Sequence, residues 1–236
     1  MEALDQSRAA DSGVIAAGLA FLFDLDGVVV DSMPVHEIAW RQYLASVGAG
    51  WDDLPARMHG RRNDEIVLDF LGLTADQKSV EEHGAAKERL YRELMRDRLE
   101  HQLVPGLRRF LEQAAGAPTG LASNAERANI DFVLDGAGLR GHFRVIVDGS
   151  QVERPKPAPD IYLRAARELG VAPGDCIVFE DSPVGIAAAR AAGARVVGLL
   201  THERELEHVD LAVTDFLDLR LVSWLARQRA GSNSTR

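Results

Sequence analysis

With 236 residues, 46% of them hydrophobic, the chain has room for one large domain or a core carrying a smaller insertion, and enough apolar content to pack an interior. Its formal charge of −9 provides no basic field to steer a nucleic acid or an anionic membrane, so neither is expected as a partner and any anionic substrate has to be met by local cations. One cysteine, Cys176, rules out a disulfide framework and a cysteine/histidine zinc site, and within the run CIVFE it reads as a small buried hydrophobe.

The N-terminal residues 1–18 lack the positive segment of a secretory signal, and no window approaches the roughly 20 apolar residues of a membrane span. The expectation is a cytoplasmic monomer with flexible ends at 1–18 and 230–236. An apolar run beginning near Leu19 then ends abruptly in FLFDLDGVVVDS, Phe21 to Ser32. Such a run predicts a fully buried strand of a parallel sheet, whose ligands sit beyond its carboxyl end. Asp24 and Asp26, two apart in an extended chain, point the same way, and Gly27 lets the backbone turn closely past whatever is bound. Neighbouring carboxylates repel unless a cation or a shared proton lies between them, which suggests Mg²⁺, a division of acid and base labour, or both. The plainer alternative is a strand-end turn with Asp24 capping a backbone N–H.

After Ser32 the periodicity becomes helical at Val35, Ile38, Ala39, Tyr43 and Leu44, with Pro34 suited to a first turn. Up to Gln102 no strand pattern occurs, only amphipathic charged segments, so 33–102 reads as a helical insertion. Leu103 to Gly106 is the return point. An insertion leaving near the end of the first strand is expected above the crevice of Asp24 and Asp26, where it can act as a lid. From there helices alternate with short apolar runs: helix GLRRFLEQAAG, strand PTGLAS, helix AERANIDFVLDGAGL, strand FRVIVDG, helix DIYLRAARELG, strand CIVFED, helix PVGIAAARAAG and strand ARVVGLL. The predicted fold is α/β: a Rossmann-like parallel sheet core formed by 19–32 and 103–229, with a small helical cap domain inserted. Gly136, Gly138 and Gly141 spell a dinucleotide-type pattern, but a helix precedes it and a strand follows, so it reads as a helix C-cap and turn.

Three further strand ends carry polar groups suited to phosphate chemistry. Ser123-Asn124, before a helix, offers a hydroxyl and backbone N–H groups for an anion, or a cap for that helix. Glu180-Asp181 pairs two acids of the kind that hold Mg²⁺ by oxygen, with Ser182 as a helix cap and Pro183 in the first turn. Between them Arg154-Pro155-Lys156-Pro157 presents a lysine from a stiff support, or simply a surface turn.

Taken together, these sites in this order resemble the haloacid dehalogenase-like superfamily of phosphotransferases from Phe21 to Asp181, with the insertion where that family carries a helical cap. The likeness implies Asp24 as a nucleophile forming an aspartyl-phosphate and Asp26 as general acid/base. It implies that Ser123 and the Asn124 amide bind the phosphoryl group and that Lys156 links it to Asp24. Mg²⁺ would be held by the Asp24 carboxylate, the Asp26 carbonyl and Asp181, with Glu180 nearby or in an outer shell. Dehalogenases proper lack the second acid of the first motif, so Asp26 argues for phosphoryl transfer.

Within the insertion, His36 resembles a position facing the active site in sugar-phosphomutases, and His59-Gly60-Arg61-Arg62-Asn63 resembles a cap loop of glycerol- and sugar-phosphate phosphatases. Lys87 resembles a cap lysine of β-phosphoglucomutase, although the arginine that family presents to a second phosphate is matched here by Asn63. The resemblance therefore implies a phosphatase acting on a small phosphorylated metabolite, a sugar or polyol phosphate, ahead of a phosphomutase. A phosphate-binding module without activity is the remaining class, against which the complete acid set speaks.

Overall fold

In the computed structural model, residues 18–58, 61, 63–72 and 77–232 are described. The chain divides into two compact units, one formed by Met1–Asp31 with Leu103–Arg236 and the other by Ser32–Gln102.

The first unit is a six-stranded parallel sheet with helices between its strands. Its strands are β1 (Ala20–Phe23), β2 (Thr119–Ser123), β3 (Val145–Asp148), β4 (Cys176–Glu180), β5 (Arg195–Leu199) and β6 (Leu211–Val213), in the order β3-β2-β1-β4-β5-β6. The chain winds outward from β1 through β2 to β3, then crosses to the other side of β1 and winds outward again. That reversal creates a switch point between β1 and β4, the place where open parallel sheets bind ligands beyond their strand ends. Phe23 pairs with Leu121 on one side and Phe179 on the other, so both neighbours reach their polar ends at nearly the same height.

Alternation along β1 explains why the sequence run is apolar throughout. Phe21 and Phe23 point to one face, joining Phe110, Phe143, Phe179 and Phe216 in an aromatic layer in which Phe23 stacks on Phe179 at 4.7 Å. Ala20 and Leu22 point to the other, into a layer with Ile161, Tyr162 and Ala165 of α8 (Asp160–Leu169) and Ile186, Ala188 and Ala189 of α9 (Pro183–Ala191). With both faces covered, no position of the strand is left for a polar residue until its end. Cys176 is buried, and burial pushes its thiol up to about 11, which makes it inert packing.

Helices α6 (Leu107–Gln113) and α7 (Arg127–Gly136) fall where the periodicity predicts them, and Gly138 adopts φ 65° just past α7, as a C-terminal turn requires. Two elements go beyond the sequence reading. β6 is a three-residue edge strand on β5, and α10 (Leu219–Ser232) continues helical into the stretch expected to be a loose tail.

Among the described residues the second unit has helices as its only regular elements: α1 (Met33–Ser46), α2 (Leu54–Met58), α3 (Asn63–Leu71), α4 (Gln77–Met95) and α5 (Leu99–Gln102). Trp40, Tyr43 and Leu44 of α1 pack with Leu54, Met58, Ile66, Val67 and Val80 to give it a core of its own. Among the described residues no helix is long and apolar enough to cross a membrane.

Candidate active site

Asp24 follows β1 directly, and its backbone N–H donates to the carbonyl of Phe179, which ties it to the end of β4. At that end lie Glu180 and Asp181, and from the loop before α8 comes Lys156. All four side chains are buried. Lys156 Nζ donates to Asp24 Oδ1 at 2.6 Å and to Glu180 Oε1 at 2.7 Å. Asp24, Glu180 and Asp181 each offer a carboxylate oxygen within 4.8 Å of the other two.

Electrostatics follow from three buried carboxylates facing one ammonium. Burial raises the Asp24 carboxyl to about 7, with Lys156 opposing the shift and the charges of Glu180 and Asp26 reinforcing it. Asp181 is held well above the carboxylate range by burial and then by Glu180, Asp24 and Asp26. Burial would lower the Lys156 ammonium, but Asp24 and Glu180 together hold it above its ordinary value. The deficit of positive charge among hard oxygen donors fits a divalent cation such as Mg²⁺.

Backbone geometry makes room for this crowding. Gly27 has φ 73°, and a Cβ there would lie 1.9 Å from Asp181 Oδ2. Its carbonyl accepts from Thr201 Oγ1 at 2.6 Å, which pins the turn from the β5 side. Asp26 is half-buried and pairs through its backbone with Val30, so the chain has left strand geometry by that residue. Its carboxylate is not among the three that converge, although its charge reaches Asp24 and Asp181.

Ser123 closes β2, buried, and its Oγ accepts from the Ala125 N–H at 3.2 Å. It does not cap α7, which starts at Arg127, so the hydroxyl and the turn around it stand clear of the helix. Asn124 acts across the chain: its Oδ1 accepts from the Lys156 backbone N–H at 3.3 Å, joining the β2 loop to the lysine loop. Ser182 is the cap of α9, accepting from Gly185 N at 3.1 Å, as the Ser-Pro pattern predicts.

Two residues were not singled out by sequence reasoning. Tyr162, in the first turn of α8, donates its hydroxyl to Glu180 Oε1 at 2.8 Å. Gly185 leaves the space Glu180 occupies, since a Cβ there would lie 1.6 Å from Glu180 Oε1. Both sit on helix faces that read as ordinary core, and only the fold shows that Glu180, eighteen residues after Tyr162 and five before Gly185, is their common neighbour.

In the helical unit, His36 and Lys87 come together. Lys87 Nζ lies 2.7 Å from His36 Nδ1 and 2.8 Å from Glu88 Oε1, and the His36 ring stacks on Tyr91 at 3.8 Å. Asn63 donates its side-chain amide to the same Glu88 oxygen. Arg61 lies apart, with its guanidinium on Asp69 at 2.8 Å and on the Glu65 carbonyl at 3.1 Å. His59, Gly60 and Arg62 lie outside the described residues.

The model of the haloacid dehalogenase-like hydrolases matches residues 19–193, a span that takes in every strand-end group described above. The chain belongs to that family. Fructose-1-phosphate phosphatase YqaB of Escherichia coli is 33% identical over 184 residues, covering 77% of this chain and 95% of that protein. β-Phosphoglucomutase of Bacillus subtilis is 33% identical over 210 residues, covering 86% of this chain and 92% of its own. Among solved structures, a family IA, variant 3 hydrolase from Entamoeba histolytica matches with a TM-score of 0.78 at 25% identity, over 89% of this chain and 99% of that one. As a haloacid dehalogenase-like hydrolase of the helical-cap branch, the chain carries its acid cluster at the switch point of the sheet.

Proposed function

We propose that this hydrolase is a Mg²⁺-dependent phosphatase that cleaves a small phosphorylated metabolite, a sugar or polyol phosphate, through an aspartyl-phosphate intermediate. The observation that carries the reading is the 2.6 Å contact between Lys156 Nζ and Asp24 Oδ1. An ammonium so close orients one carboxylate oxygen and opposes the protonation that burial favours, leaving the other oxygen to attack.

In this reading Asp24 attacks phosphorus and the bond to the leaving oxygen breaks, with Asp26 giving that alkoxide its proton. Asp26, now ionised, takes a proton from water as the water attacks the acyl phosphate, releasing inorganic phosphate and restoring Asp24. Ser123 Oγ, the Asn124 N–H and a proton of Lys156 hold the phosphoryl oxygens through both steps. Asp24 and Asp181 with the Asp26 carbonyl would hold Mg²⁺, which when bound supplies Lewis-acid stabilisation of the transferring group. Glu180, whose oxygens already accept from Lys156, Tyr162, the Asp181 and Ser182 N–H groups and Ser182 Oγ, stands outside that shell.

Substrate selection is assigned to the inserted helical unit, with His36 and Lys87 as its leading polar group. Arg61, committed to Asp69, serves the fold of that unit first. The relation to β-phosphoglucomutase supports a second reading, isomerisation of a sugar phosphate. Against it, Asn63 is turned to Glu88, away from the role of an anchor for a second phosphate.

A panel of sugar and polyol phosphates, assayed for inorganic phosphate with Mg²⁺ and again with EDTA, tests the proposal. Release from a monophosphate without a bisphosphate activator is expected. With β-glucose 1-phosphate and a trace of the bisphosphate, glucose 6-phosphate forming faster than inorganic phosphate would establish the mutase instead.

A further inference from the structure

The lysine loop runs directly into α8 through Pro157 and Pro159, whose fixed φ leaves little freedom between Lys156 and Tyr162. Tyr162 is fully buried, and its hydroxyl and ring both meet the lysine's surroundings. The hydroxyl donates to Glu180 Oε1 at 2.8 Å, the oxygen that also accepts from Lys156 Nζ at 2.7 Å. The ring centre lies 4.8 Å from the same Nζ, within the range of a cation–π contact.

We propose that Tyr162 is a positioning residue that keeps Lys156 shared between Asp24 and Glu180 instead of collapsed onto Glu180 alone. A buried ammonium between two carboxylates settles toward whichever has more unmet acceptor capacity. Glu180 Oε2 is already satisfied by Asp181 N, Ser182 N and Ser182 Oγ, so the remaining demand is on Oε1. The phenol takes up part of that demand. Removing it leaves Oε1 to the lysine, which moves off Asp24 and loosens its hold on the nucleophile. The contact rests on geometry alone, and its effect on turnover rests on the phosphatase reading above.

Tyr162→Phe keeps the ring and removes only the donor. The full chain with Mg²⁺ and p-nitrophenyl phosphate should show kcat lowered about tenfold, the effect of weakening one charge-assisted contact in the transition state. KM should stay within about twofold, because the contact matters at the reacting atoms and not to substrate binding. Independently of activity, the ¹⁵N–¹H signal of the Lys156 ammonium in the wild type should be protected from solvent exchange and shifted upfield by the ring, and should move in the variant. An unaltered lysine signal with only a lowered Tm would overturn the proposal and make Tyr162 packing. So would a wild-type protein without a protected, ring-shifted ammonium, a measurement that does not depend on the variant folding. If the wild type hydrolyses no phosphate ester, the phosphatase reading fails, and the lysine signal alone decides whether Tyr162 positions Lys156.

Discussion

Gly27 and Asp181 occupy contiguous space: a methyl group on the glycine would lie 1.9 Å from the Asp181 carboxylate oxygen. The glycine is also in left-handed backbone, φ 73°, where an L side chain costs roughly 1–2 kcal/mol. Gly27→Ala therefore combines strain with displacement of an acid assigned to the metal. The expected outcome is a folded protein of lower Tm whose Mg²⁺ activation is weakened about tenfold or more, as when groups supporting a metal ligand are lost. A Mg²⁺ titration of turnover checks it, and a titration matching the wild type would detach Asp181 from the cation.

Asp24→Asn is nearly isosteric and leaves the β1 end packed, but an amide does not attack phosphorus. Turnover should vanish while the circular dichroism spectrum stays that of the wild type. Asp26→Asn should lower kcat by about 10²–10⁴-fold, the range of general acid–base assistance. With a leaving group good enough to depart unprotonated, an acid-labile phosphoenzyme should then accumulate on Asp24, detectable by intact-mass measurement after quenching. Residual hydrolysis by Asp24→Asn above a trace would place the nucleophile elsewhere.

The sheet and its acid edge were legible because both depend on local pattern. A strand covered on both faces has to be apolar until it ends, so Asp24 after β1 and Glu180 in β4 stand out, and it is their combination with the other polar strand ends, in the order of the family motifs, that points to a site. The prolines flanking Lys156 make it noticeable, and the family resemblance gives it a role that a surface turn would not. What was not legible depends on pairings distant in sequence. Tyr162 sits on the apolar face of α8 and reads as core until its hydroxyl is seen to reach Glu180. Asn124 reads as part of an anion site or as a helix cap, and neither reading shows that its side chain holds the Lys156 loop. Arg61 belongs to a stretch that resembles a phosphatase cap loop, whereas Asp69, near the end of α3, takes it up and is drawn down to about 2 by Arg57 and Arg61. β6 is too short to produce an apolar run, and its existence follows from the open edge of β5.

Glu88 anchors the buried polar cluster of the helical unit, accepting from Lys87 at 2.8 Å and from Asn63. Glu88→Ala strips the buried ammonium of its carboxylate, and breaking a buried pair from one side costs about 3–5 kcal/mol. Urea denaturation should show that loss, and Lys87→Met/Glu88→Leu together should recover part of it by replacing the pair with apolar volume. A Glu88→Ala protein as stable as the wild type would show that the other neighbours of Lys87 suffice to hold its charge.

The buried acids also set how stability responds to pH. Asp24 moves from an ordinary value of 3.8 to about 7 on folding, so the folded protein binds the proton more tightly than the unfolded chain. Its contribution is full below 3.8 and is lost as pH rises through that window to about 7; Asp181, raised in the same direction, adds to the loss. The surface acids behave oppositely: Asp69, lowered to about 2, and Asp131, Asp135 and Asp218, also lowered, give stability that disappears only as pH falls below the usual carboxylate range. Between about pH 5 and pH 8 the buried pair is thus the side with a changing contribution. In EDTA, Tm should fall across that interval. A cation that binds the ionised carboxylates competes with the protons, so the increase in Tm on adding Mg²⁺ should be larger at about pH 8 than at about pH 5. Thermal melts at both pH values, with and without Mg²⁺, measure the two increments directly; an increment that shrinks as pH rises would remove Asp24 and Asp181 as the seat of the ion.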